Sequence, residues 1–199
     1  MMTPPEPLRA RAEALEHLAA QIRVCPRCDL ALSRTHAVPG EGNPNAKIMF
    51  VGEAPGATED KTGRPFVGPS GRFLDAMLAD IGLQRTDIFI GNINRCRPPN
   101  NRDPNPAEIA ACHPWMAAQL AIIQPHVVCT LGRFAMNTLI DPKIQISKVH
   151  GMPFEREGIL YIPLFHPAAA LHRESLRETL IADMRALRDL LVARGLWIG

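Results

Sequence analysis

The chain has 199 residues, enough to fill one α/β core and too few for a second independent domain to be expected. Its formal net charge of +2 is too small to announce nucleic-acid binding by itself, and no apolar run is long enough for a membrane span or a secretory leader. Five cysteines in a chain expected to stay in the cytoplasm argue against a disulfide framework and for metal ligation or plain burial, with the thiols reduced.

In chain order, a charged amphipathic helix is predicted over residues 5–23, followed by an irregular segment over 24–46 rich in Cys, Pro, Gly and Asn. A short buried strand fits 47–52. Residues 51–71, VGEAPGATEDKTGRPFVGPSG, form a loop with five glycines and three prolines, a composition that serves to hold a site. A helix follows in GRFLDAMLADIGL, where Phe73, Leu74, Met77, Leu78 and Ile81 keep a helical period, Ser70 is the expected N-cap and Gly82 the expected end. A second strand fits 87–93, and beyond a Pro/Asn loop a helix fits 106–123, entered through DPNP with Pro106 in its first turn. A third strand at 126–131 meets Gly132 and a short helix from Arg133. A fourth at 160–165 meets His166-Pro167, and Leu176, Leu180, Met184, Leu187 and Leu191 mark a closing helix. Strands alternating with helices predict a three-layer α/β/α sandwich around a central, mostly parallel four-stranded sheet, in one domain spanning 1–199.

Three polar side chains stand where these strands end: Glu53 after the first, Asn92 at the end of the second and His166 after the fourth. Open α/β sheets bind ligands at that edge, so the three are expected to converge. Taken singly, Glu53 also reads as a solvated acid, Phe66 as a core anchor and His166 as a structural histidine. GEAPG lacks the glycine spacing of a dinucleotide fingerprint and the Lys-Ser/Thr of a P-loop. Cys25 and Cys28 form a CxxC outside any redox context, and with Cys96 and Cys112 they could close a zinc site or a [4Fe-4S] cluster, or remain unligated; spacing does not choose. Cys129, inside HVVCTL, is expected to be a small core residue. Only Lys47, Lys61, Lys143 and Lys148 break an arginine bias that a guanine-rich genome explains. Local groups, Arg95, Arg97 and Arg102 in one loop and His172, Arg173 and Arg177 after another, could still supply a phosphate footprint.

Four motifs in order, GEAPGATEDKTGRPFVGPSG, NINRCRPPNNRDPNPAEIAAC, TLGRFAM and HPAAAL, resemble the iron-sulfur family 4 of uracil-DNA glycosylases, from about Cys25 to Arg177. The resemblance implies hydrolysis of the N-glycosidic bond of uracil in DNA to leave an abasic site, as in base excision repair. It also implies a structural [4Fe-4S] cluster on Cys25, Cys28, Cys96 and Cys112. By the same resemblance Glu53 places or polarises water, Gly52, Ala54 and Gly56 offer backbone contacts to the base, and Phe66 stacks on uracil. Asn92 reads its Watson–Crick edge, His166 donates to O2, Leu171 fills the gap left by a flipped base, and Arg173 and Arg177 approach phosphates. The expected partner is uracil-containing DNA, single- or double-stranded, bound by a monomer in the cytoplasm. Family members often carry Arg where His172 stands, and the basic insertion of covalently trapping relatives is missing, so covalent trapping is not expected. Two alternatives remain at this stage: a non-catalytic binder of uracil-containing or single-stranded DNA, and a nucleotide-binding module that uses GEAPG for phosphate.

Overall fold

The computed structural model describes residues 6–171 and 173–199. Pro5, where the first helix was expected to begin, and His172, where the sequence departs from the family pattern, lie outside the described residues.

Helix α1 (Glu6–Arg23) leads to a single turn, α2 (Leu30–Ser33), and a two-residue strand, β1 (Glu41–Gly42). The segment expected to be irregular therefore carries two short elements, both too brief to leave a periodic signature. Strand β2 (Ile48–Gly52) is buried at every position, as a strand covered on both faces must be. The following loop contains a short helix that the sequence reading did not anticipate, α3 (Ala57–Thr62), with Glu59 and Asp60 in its first turn and Gly63 in the left-handed conformation at its end. Helix α4 (Pro69–Asp80) begins earlier than expected: Gly68, not Ser70, is its N-cap, because Pro69 takes the first helical position and fixes the entry.

Strand β3 (Phe89–Asn92) and a 3-10 turn (Pro99–Asn101) lead to α5 (Pro106–Ile123), whose bounds match the prediction. Strand β4 (Val127–Leu131) turns through Gly132 into α6 (Arg133–Leu139), and a single turn, α7 (Ile146–Val149), precedes the ribbon of β5 (Phe154–Arg156) and β6 (Ile159–Leu164). One further turn, α8 (Pro167–Ala170), and the long α9 (Glu174–Ala193) close the fold.

The sheet order is β1-β3-β2-β4-β6-β5. The four central strands are parallel, as expected, and β1 and β5 add short antiparallel edges to β3 and β6. Strand alternation divides the core. Ile48 and Phe50 face α4 and α9 through Leu74, Met77, Leu180 and Leu187, whereas Met49 and Val51 face α5 and α6 through Met116, Ile123 and Met136. A smaller apolar group, with Leu18, Ile22, Leu30 and Cys96, packs the segment after α1 beneath the end of β3. No described helix is long and apolar enough to cross a membrane.

Candidate active site

A cleft of about 570 Å³ opens at the carboxyl edge of the parallel strands, lined among others by Glu53, Phe66, Asn92, Arg102 and His166. The register explains the convergence: Gly52 pairs with Asn92, and the amides of Ile93 and Asn94 donate to the carbonyls of Gly52 and Glu53 at 2.9 Å each. Ala54 and Gly56 also line the cleft, while Gly52 lies behind it. A Cβ at Gly52 would stand 2.5 Å from both Asn92 Oδ1 and Phe66 Cζ, so no larger residue fits without displacing one of them.

Asn92 is 2% exposed and its Oδ1 has no hydrogen-bond partner. A buried acceptor without a donor is unfavourable, and a ligand N–H entering the cleft would relieve it. The Phe66 and His166 rings stack with centroids 5.8 Å apart and planes inclined by 29°. His166 accepts a hydrogen bond at Nδ1 from the Ala168 amide, at 3.1 Å. Burial pushes its pKa down to about 4, against the weak opposing pull of Glu59, so the ring is neutral at physiological pH. With Nδ1 accepting, its one proton sits on Nε2. Burial, helped by the charge of Asp103 and opposed by that of Arg133, raises the Glu53 carboxyl to about 7. Those two neighbours pair with each other at 2.5 Å.

Phe66 holds φ = +51°, a left-handed conformation that strains a bulky side chain by about 1–3 kcal/mol. Three neighbours impose it. The Arg85 guanidinium donates to the carbonyls of Pro65 and Phe66, and it is itself held by Asp75 at 2.6 Å and Glu41 at 3.3 Å. The Glu59 carboxylate accepts from the amides of Val67 at 2.9 Å and Gly68 at 2.7 Å. Gly71 leaves room for the Phe66 carbonyl, which would lie 1.9 Å from a Cβ there. Sequence reasoning missed Glu59 and Arg85 as supports. Neither stands at a strand end, and the only signal was the density of charge around one phenylalanine.

The other expected contacts flank the cleft without lining it. Leu171, 38% exposed, ends α8 one turn beyond His166. Arg173 is the N-cap of α9, and Arg177 lies over the Phe73 ring at 4.7 Å.

The four cysteines of the expected centre come from just after α1 (Cys25), just before α2 (Cys28), the loop after β3 (Cys96) and within α5 (Cys112), and all are free thiols. Cys96 feels the charges of Cys25 and Cys28, and Cys112 those of Cys96 and Cys28, so the set lies within mutual electrostatic reach. Among the described residues, no three His, Cys, Asp or Glu side chains converge to grip a single metal ion. The surroundings of the sulfurs nevertheless fit an anionic sulfur-ligated group. Arg34 Nη1 donates to Cys96 Sγ at 3.2 Å, the Arg95 amide to Cys112 Sγ at 3.2 Å and Trp115 Nε1 to Cys25 Sγ at 3.3 Å. Such donors favour thiolate over thiol. Burial raises the thiol pKa of Cys112 to about 11. Cys129 is fully buried in β4 with its thiol pKa pushed up by burial alone, the core residue that was expected.

A mostly parallel sheet with a ligand-sized cleft at the carboxyl edge of its strands, lined by an aromatic ring, a buried amide and a neutral histidine, is the architecture of an α/β/α protein with a candidate binding site. Comparison with known proteins makes this specific. The family model of the Uracil DNA glycosylase superfamily matches residues 39–188. A Type-4 uracil-DNA glycosylase of Sulfurisphaera tokodaii is 44% identical over 189 residues, covering 90% of this chain and 86% of the relative. That of Archaeoglobus fulgidus is 45% identical over 186 residues (89% and 94%), and that of Thermotoga maritima 42% over 189 residues (93% and 98%). The chain belongs to the uracil-DNA glycosylase superfamily.

Proposed function

We propose that this protein is a monofunctional DNA glycosylase that hydrolyses the N-glycosidic bond of uracil in DNA and leaves an abasic site. The observation that carries the reading is the buried, unpartnered Asn92 Oδ1 beside the stacked rings of Phe66 and His166, in a chain whose Type-4 relatives match it over most of its length. A base inside a duplex hides its glycosidic bond, so it is flipped out, stacked on Phe66 and read by hydrogen bonds. The Asn92 amide accepts from N3–H and donates to O4, a pairing that cytosine does not satisfy. Backbone groups of Ala54 and Gly56, which line the cleft, add contacts to the base, whereas Gly52 stands behind it.

Cleavage builds negative charge on uracil and positive charge on the sugar. His166, neutral and protonated on Nε2, donates to O2 as the charge develops there. The Glu53 carboxylate holds the attacking water and faces the cationic sugar. Leu171 fills the space left by the base, and Arg173 and Arg177 meet phosphates. Cys25, Cys28, Cys96 and Cys112 would hold a [4Fe-4S] cluster, and its contribution would be structural, tying the segment after α1 to β3 and α5. The protein acts as a cytoplasmic monomer on single- or double-stranded DNA.

A uracil-release assay on single- and double-stranded oligonucleotides tests this, comparing the wild type with His166→Ala and Asn92→Ala. Removal of one donor to the developing anion is expected to slow release by roughly 100- to 1,000-fold. Binding of uracil-containing DNA without release by folded wild type would instead identify a non-catalytic binder.

A further inference from the structure

Arg95 is 1% exposed, the least exposed charged side chain among the described residues. Its Nη2 donates to Gln119 Oε1 at 2.7 Å and its Nη1 to the Pro39 carbonyl at 3.3 Å, while Nε has no partner. Among the described residues no carboxylate forms an ion pair with it, and the charges that act on it are those of Cys112 and Cys96. A buried cation with only neutral partners is strongly unfavourable, so the fold requires a counter-charge at this place. The backbone of the same residue reaches the cysteines: Arg95 precedes Cys96 in the chain and its amide donates to Cys112 Sγ at 3.2 Å, while Arg34 reaches Cys96 Sγ and also the Cys25 carbonyl at 2.8 Å. The guanidinium lies beneath β3, with Nη1 3.0 Å from the position of a Cβ on Gly91, the neighbour of Asn92.

We propose that the four-cysteine centre is the counter-ion of Arg95, and that Arg95 is a positioning residue which locks that centre against the strand carrying Asn92. This rests on the reading of Cys25, Cys28, Cys96 and Cys112 as cluster ligands. When four thiolates ligate an iron-sulfur cluster the whole carries net negative charge, and nearby cations and N–H donors raise its reduction potential. The buried cation and the anionic centre then need each other: loss of the centre strands the guanidinium, and loss of the guanidinium leaves the centre richer in negative charge.

The test compares wild type, Arg95→Met and Arg95→Lys as purified holoproteins. Iron and acid-labile sulfide content, the potential of the centre and the thermal midpoint before and after oxidative stripping with a chelator are read for each. Stripping is expected to lower the midpoint of wild type and Arg95→Lys strongly and that of Arg95→Met by less than half as much, and the loaded Arg95→Met centre is expected to have a more negative potential. Equal losses in all three proteins, or an unmoved potential, would overturn the proposal. If Arg95→Met does not fold, Arg95→Lys decides: a filled centre near the wild-type potential supports the pairing, and failure of this variant too overturns it. Wild type purified without iron or sulfide would defeat the ligand reading and the pairing with it, and the metal analysis distinguishes that failure from the others.

Discussion

Glu53 is a carboxyl group that burial keeps half-protonated near neutrality. Because its folded pKa is raised, the folded state binds more protons than the unfolded chain between about pH 4.5 and about 7, and stability falls as pH rises through that window. Glu53→Gln is therefore expected to melt higher than wild type at pH 8 and like it near pH 4, each kcal/mol appearing as roughly 2–4 °C. The wild-type kcat/KM is expected to fall about tenfold per pH unit below 7, a limb absent from the residual activity of Glu53→Gln. His166 imposes no second limb in this range, since its pKa is depressed to about 4. Glu53, Asn92 and His166 were legible in the sequence because each ends an apolar strand, where polarity is conspicuous. Arg85 and Glu59 were not, because they act on backbone carbonyls and amides, and a sequence does not say which loop a charged side chain folds back upon.

Helix α5 shows why some elements read well. Asn105 accepts from the Glu108 amide at 2.9 Å and Glu108 returns the bond to the Asn105 amide at 2.9 Å, so the cap is spelled in four residues. The same Glu108 carboxylate grips Arg102 through two bonds of 2.9 and 2.6 Å, and Arg102 lines the cleft. Asn105→Ala is expected to lower stability by about 1 kcal/mol in denaturant unfolding, with an unchanged m-value. An unaltered midpoint would mean that the helix entry is held elsewhere. The single-turn helices α2, α7 and α8 and the edge strands β1 and β5 escaped notice for the opposite reason: two to four residues cannot establish a period. Helix α3 is six residues long and largely polar, and what sets it is the pair of glycines at its ends.

Across the whole molecule, alternating strands and helices made the parallel sheet legible but not its order, since β3 and β4 both flank β2 through connections that a sequence does not distinguish. The four cysteines were partly legible: the CxxC and the two later cysteines could be grouped from the sequence, but spacing did not choose between zinc and an iron-sulfur cluster, and only the resemblance did. A weak net charge does not exclude a local phosphate footprint. Arg173 and Arg177, both exposed at the start of α9, are expected to meet phosphates. Replacing either with alanine should reduce the slope of log affinity against log salt by about 1 for uracil-containing DNA, with little change in the rate of bound substrate. An unchanged slope would remove that arginine from the footprint.

Asn92 and Phe66 can stand side by side at the cleft because Gly52 behind them carries only a hydrogen. This limits how such a pocket can diversify. Enlargement for a bulkier base has no residue to trim at that point and must proceed by moving the walls around Phe66 or Ala168. Any added carbon at position 52 evicts one of the two groups proposed to grip the base, so selection can widen this enzyme's repertoire from the sides but not from behind.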